Sequence, residues 1–209
     1  TNKTSDIKNS RAQGFGALIY NLSYPLKKSS EKYLNLLSPK ISLRYSPNKT
    51  KNLINEDRRL DLNNIFSLNR LSLFDTIETG ESASLGINYE LSDKRNNDIF
   101  FETGLAQVFR IEENNDLPSN STIGEKSSNI FGNLNLKYKN LIDFKSNYSF
   151  DDDLGESNYN YYDLKFNVNN FITEFIYLDN DISVSEQGYF DASIQYNFNN
   201  NNSLSYSRR

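Results

Sequence analysis

Apolar and polar residues alternate along most of this chain, repeating every second residue. In Ser84 to Leu91, Leu85, Ile87, Tyr89 and Leu91 share one side, while Ser84, Gly86, Asn88 and Glu90 share the other. The pattern returns in 129–139 (Ile130, Leu134, Leu136, Tyr138), 142–151 (Ile142, Phe144, Tyr148, Phe150), 162–169 (Tyr162, Leu164, Phe166, Val168) and 190–199 (Phe190, Ala192, Ile194, Tyr196, Phe198). Two earlier runs follow it, 14–26 and 33–45, the second interrupted by Pro39. Runs 100–110 and 171–178 are partly apolar on both sides, as in strands that bury a second face, and 204–206 reads as a short last run. Each of the five clearest runs lasts about 8 to 11 residues, the length at which a tilted strand crosses a bilayer. Between the runs lie 92–98, 112–128, 151–160 and 199–202, rich in Asn, Asp, Gly and Ser, which read as turns and loops. These links are too short for helical crossovers, so the pattern predicts an all-β antiparallel fold of roughly ten or eleven strands.

Alternation suits both a soluble sandwich and a membrane barrel, because each has one apolar and one polar face. Three features favour the barrel. The runs exceed the usual sandwich strand of about 5 to 6 residues. Aromatics gather toward run ends at Tyr20, Tyr24, Tyr45, Tyr89, Tyr138 and Phe198, as in interfacial girdles. The polar sides carry Asn, Ser, Asp and Lys without a gap, as a wet lumen requires. The chain is therefore expected to form a transmembrane barrel, either a small complete one or, as its ends read like those of a fragment, an arc of a larger barrel to which residues 1–209 all belong. A porin or uptake barrel and a soluble adhesion-type β-domain are the other classes that share the pattern.

Composition sharpens this picture by exclusion. Hydrophobic residues make up 36% of 209, and mean hydropathy is -0.70, values that alone suit a soluble or disordered chain. The 14 Tyr and 14 Phe argue against disorder, since a chain without a core has little use for them. Asn supplies about one residue in seven. His and Cys are absent, which removes the commonest general base, the commonest zinc ligand and any thiol nucleophile. No enzymatic activity, cofactor or metal site is expected. A net charge of -4 without a basic stripe excludes nucleic acid as a main partner.

The segment DLNNIFSLNRLSLFDTIETGESASLGINYEL (61–91) resembles the barrel domain of the LptD family of LPS-assembly outer-membrane proteins, also called organic solvent tolerance proteins. Asn64, Ile65, Phe66, Asn69, Arg70, Ser72, Asp75, Glu78, Gly80 and Gly86 carry the family spacing. GLAQVFR (104–110, with Gln107 and Arg110), SSNIFGNL (127–134) and LSPKISLRYSPN (37–48) follow in matching style. The sequence departs from the pattern at Leu73, where the family has glycine, and at Thr76 and Ser82, where it has arginine. The resemblance implies a Gram-negative outer-membrane barrel that moves lipopolysaccharide (LPS) to the cell surface. Its implied partners are LPS, outer-membrane lipid, a plug lipoprotein in the lumen and a periplasmic LPS-transport bridge; the family's periplasmic domain lies outside this chain.

Two readings compete for Arg70, Asp75 and Glu78. They are solvated loop charges, or they pair inside the lumen and pin a loop there. Gln107 and Arg110 fall on opposite sides of their run. A charge at the bilayer midplane costs about 2 to 4 kcal/mol, so Arg110 is expected at an interface or facing inward, in a structural role rather than a saccharide contact. Asp151, Asp152 and Asp153 lack a calcium-loop pattern and read as a solvated turn. NKT (48–50) and NST (120–122) match glycosylation sequons that carry no meaning in a bacterium.

Overall fold

The computed structural model describes residues 14, 16–47, 51–72, 76–95, 98–119, 121–181, 187–199 and 201–209. Eleven strands form one antiparallel sheet: β1 (Leu18–Ser23), β2 (Leu26–Ser29), β3 (Tyr33–Ser46), β4 (Gly80–Asp93), β5 (Ile99–Arg110), β6 (Ile130–Tyr138), β7 (Ile142–Phe150), β8 (Ser157–Val168), β9 (Phe171–Asn180), β10 (Gln187–Asn199) and β11 (Asn202–Arg208). From β3 onward each strand pairs with the next in sequence, while β1 and β2 both pair with β3. Among the described residues β1 and β11 do not pair with each other, so the sheet is an arc of a barrel wall rather than a closed one.

The elements follow the alternation, with three differences that have physical causes. The first run divides at Tyr24 and Pro25 into β1 and β2. Across the gap Tyr24 N–H donates to the Pro39 carbonyl at 3.1 Å. Pro39 has no N–H to give back, so the ladder breaks on that side while β3 runs through unbroken to pair Pro39 with Ile87. The loop expected over 151–160 is shorter, because β8 already starts at Ser157; a run of tyrosines hides the period there. Residues 122–124 form a single 3₁₀ turn within the long connection after β5.

Register places every apolar stripe on the same side of the sheet. Leu22, Ile41 and Leu85 lie in one row across β1, β3 and β4. Leu136, Phe144, Leu164 and Phe175 form another across β6 to β9. Charged residues on this face are confined to Lys28, Glu81, Asp93, Asp179 and Arg208, each within one residue of a strand end. Large side chains along it stand open, among them Leu43, Leu85, Phe190 and Ile194. In a water-soluble protein so broad an open apolar face would drive association, whereas in a bilayer it is the surface that hydrocarbon covers. Phe144, Tyr162 and Tyr177 stack across adjacent strands, with ring centroids 6.3 and 6.1 Å apart. Tyr148 lays its ring over Gly132, directly opposite in register, where any Cβ would collide with it.

The opposite face is polar. Lys137, Asp143, Lys165 and Glu174 alternate in sign along one row of β6 to β9, with Lys137–Asp143 at 3.6 Å and Lys165–Glu174 at 2.8 Å. Directly opposed opposite charges are the favourable cross-strand arrangement.

The fold's buried core lies on this polar side, away from the apolar belt. Chain 51–72, which has no regular structure, lies against β4 to β6 and buries Leu53, Leu60, Ile65 and Leu71 with Ala106, Val108 and Phe131 of the wall. Leu117 and Ile123 of the connection after β5 close the cluster. The expectation that 100–110 buries both faces holds through Ala106 and Val108, while Ile172, Ile176 and Leu178 of β9 remain half-exposed. Phe66 fits because Gly86 has no side chain: a Cβ there would lie 2.6 Å from Phe66 Cζ and 2.9 Å from the Leu105 carbonyl oxygen.

Gly86→Val is therefore expected to displace Phe66 at a cost of about 1 to 3 kcal/mol, the usual range for overpacking. Limited proteolysis of the full-length protein in detergent should then cut within 51–72 while the strands stay protected.

Candidate functional site: a buried arginine–glutamate knot on the polar face

Glu78 sits two residues before the start of β4, with its carboxylate fully enclosed. Arg70 grips it from the side, Nε donating to Oε2 at 2.9 Å and Nη2 to Oε1 at 2.6 Å. Arg110, at the end of β5, donates from Nη1 to Glu78 Oε1. Arg44, near the end of β3, places Nη1 4.0 Å from Oε1 and donates from Nη2 to the Glu78 backbone carbonyl at 2.5 Å. All four side chains are at most 2% exposed. Three guanidiniums thus surround one carboxylate.

Arginine keeps its proton in proteins, so two positive charges exceed what Glu78 neutralises. Most of their remaining N–H groups go to oriented dipoles, while Arg44 Nη1 is buried without a hydrogen-bond partner. Arg44 Nε donates to Leu68 O at 3.0 Å, and Arg110 donates to Thr79 O and to Glu112 O at 3.3 Å. Arg70 donates to Ser82 Oγ at 2.7 Å and Ser84 Oγ at 3.3 Å. Ser84 Oγ in turn donates to Ile65 O at 2.9 Å. The knot therefore ties chain 65–79 to β3, β4 and β5 at once.

The residues singled out in the sequence meet here in part. Arg70, Glu78 and Arg110 converge on one point, and Arg110 lies on the polar side of the sheet. Gly80 is required twice: its φ of 95° is left-handed, and a Cβ would lie 2.8 Å from Arg110 Nη2. Asn69 is half-buried in the turn, where its carbonyl accepts the Ser72 N–H at 3.3 Å. Asp75, like the sequon NKT and Asn120 of the second sequon, lies outside the described residues. Gln107 stands on the apolar face, away from the knot. Its amide donates to Ser127 Oγ at 2.9 Å and Ser128 O at 2.8 Å, so it carries its partners with it. Arg44, Ser82 and Ser84 complete the knot; the sequence marked Ser82 only as a departure from the family pattern and Ser84 only as a polar-side position, and it did not single out Arg44. The signal for Arg44 was an arginine between Ser42 and Ser46 on the polar side of an alternating run.

The acidic run 151–153 forms a turn, with Asp153 accepting the Gly155 N–H at 2.8 Å and Asp151 accepting from Asn158 Nδ2. Burial raises the Glu125 carboxyl above its ordinary value, and Asp152, Glu113 and Asp151 nearby push it the same way. Carboxylates of the two loops thus converge at this end of the sheet. Among the described residues no group of three or more acidic side chains has the arrangement of a metal site.

Removing the carboxylate while keeping its shape should be costly. Glu78→Gln leaves three buried guanidiniums without a counter-charge and is expected to destabilise the folded protein by about 3 to 5 kcal/mol. Urea unfolding in lipid vesicles reads this. Arg95→Ala removes an exposed pair with Asp93 at 2.7 Å and should change stability by less than about 1 kcal/mol.

No curated protein matches the chain. A family model described as LptD, LPS transport system D, matches residues 4–202, nearly the whole length. With an antiparallel wall, one apolar face and the arginine–glutamate spacing in place, the chain belongs to the LptD family.

Proposed function

We propose that this chain is an arc of an outer-membrane β-barrel that carries LPS to the cell surface. Membership of the LptD family supports a part in LPS transport at the outer membrane. One observation carries the membrane reading: the face bearing the apolar rows has charge only at strand ends, opposite a wet face with ion-pair ladders.

On this reading the polar face lines the lumen. The strand ends joined by 47–79, 111–129, 151–156 and 181–186 all lie at one end of the sheet, and those joined by short links lie at the other. Bacterial barrels keep short turns on the periplasmic side and long loops outside. The long-connection end is therefore extracellular, and chain 51–72 is a loop that folds back into the lumen near the outer rim. The knot is structural: Arg70, Glu78, Arg110, Asn69 and Gly80 hold this loop against the wall, with Asp75 within the same segment. Saccharide passes through the remaining lumen, and the lipid part leaves sideways between the first and last strands of the complete barrel. A periplasmic bridge delivers LPS from below and a plug lipoprotein occupies the lumen. The protein binds and guides; it performs no bond-making chemistry.

Depleting the full-length protein in its host should lower surface-exposed LPS before small-solute uptake changes. A porin of another family would show the reverse order, with uptake falling and surface LPS intact.

A further inference from the structure

Three tyrosines gather on the polar face toward the long-connection end. Tyr159 and Tyr161 lie there on β8, and register sets Tyr161, Leu178 and Tyr189 side by side across β8, β9 and β10. All three tyrosines are half-exposed. The guanidinium of Arg59, in segment 51–72, lies 4.1 Å over the Tyr159 ring, and that of Arg209 lies 5.2 Å over Tyr189. Tyr161, between them, carries no such cation among the described residues. Beside Tyr159 a cavity of about 110 Å³ opens between 59–63 and β6 to β8, with Asn63, Asn133, Asn147 and Ser149 in its lining. Two buried acceptors nearby lack a donor: Oδ1 of Asp163, two residues after Tyr161 on the same face, and Oδ1 of Asn180, directly opposite Tyr159.

We propose that this stretch of wall binds a pyranose oligosaccharide, one sugar ring lying on Tyr161 and its hydroxyls reaching Asp163 and the amides of the cavity. This rests on the LPS reading above, in which saccharide passes along the polar face. The mixture of groups selects the ligand. Water would satisfy the acceptors and leave Tyr161 and Leu178 uncovered, while hydrocarbon would cover them and leave the acceptors bare. A pyranose does both. Its C–H groups carry slight positive charge and lie well against the negative face of an aromatic ring, and its hydroxyls donate outward. Asp163 is half-buried, so its carboxylate borders the lumen while one of its oxygens goes without a donor. Asn147, directly opposite Tyr161, offers both a donor and an acceptor beside the ring. Tyr161 and Tyr189 stand two strand spacings apart, about 10 Å, so a chain of sugars rather than a single ring spans them. The contrast with β4 to β6 is direct. There segment 51–72 covers the apolar residues of the polar face, whereas Ile176 and Leu178 stay half-exposed.

The test uses the purified full-length protein in detergent and, as probe, lipid-free oligosaccharide released from the host's LPS, with binding titrated by saturation-transfer NMR. The wild-type protein should bind the oligosaccharide saturably. Tyr161→Ala should weaken binding at least severalfold, and Tyr161→Phe, which keeps the ring, should retain it. Thr173→Ala, on the apolar side of β9, should leave binding unchanged. Photoreactive benzoylphenylalanine in place of Tyr161 should cross-link to the oligosaccharide, and to LPS in intact cells. Equal binding by the wild type and Tyr161→Ala would overturn the proposal, as would adducts in cells formed only with a protein. Depletion of the full-length protein separates the two levels. If the wild type binds no oligosaccharide while depletion still lowers surface LPS, the saccharide platform alone fails. If depletion leaves surface LPS intact, the LPS reading fails with it.

Discussion

Glu78 is the point on which this structure turns. Its carboxylate receives hydrogen bonds from Arg70 and Arg110 and lies beside Arg44, and the four residues come from one irregular segment and two strands that are separated by β4. A buried ion pair rarely adds much net stability over a well-packed apolar substitute, because desolvation offsets the attraction. What it supplies is position. A segment lacking regular hydrogen bonding could lie in many ways on a flat polar wall, and a bidentate guanidinium fork tolerates few of them. The excess positive charge reinforces this, since carbonyls of Leu68, Glu78 and Thr79 must point inward to satisfy it. Backbone conformation and charge neutralisation thus depend on each other.

The rest of the fold reads as the consequence of two solvents. One face of the sheet presents rows of Leu, Ile, Phe and Tyr with uncharged polar residues such as Thr103, Gln107 and Ser146 among them; the other presents serines, asparagines and paired charges. On the polar face, chain 51–72 makes the only sizeable buried core among the described residues. A barrel wall needs no interior of its own, because lipid covers one side and water the other. The core exists because segment 51–72 lies against the polar face, and Gly86 leaves the room in which Phe66 packs.

Much of this was legible in the residues themselves. Leu85, Ile87, Tyr89 and Leu91 announce β4 by period alone, while the charges Arg70 and Glu78 were visible without the sequence deciding between solvated loop charges and a buried pair. The path of 51–72 was not legible. Its buried apolar residues Leu53, Leu60, Ile65 and Leu71 are spaced at neither two nor three to four residues, so no period reveals what they face. Arg44 was hidden for a different reason: strand alternation tells which side it occupies, and only register tells that this side meets Glu78. Ser82 illustrates the opposite case. The family pattern has arginine there, and in this chain its hydroxyl accepts from Arg70 while Arg110 and Arg44 bring the additional guanidiniums. β8 began earlier than its turn-rich flank suggested because tyrosines suit both faces of a half-buried strand.

The account's central claim is that the carboxylate of Glu78 holds the loop against the luminal wall. The direct measurement is labelling of a single cysteine, Ile65→Cys, by a bulky membrane-impermeant maleimide on intact cells carrying the full-length protein. With Glu78 intact the thiol should react only after denaturation, and with Glu78→Gln in the same molecule it should react in the folded protein. Ready labelling while Glu78 is intact, or equal protection in both proteins, would contradict the claim.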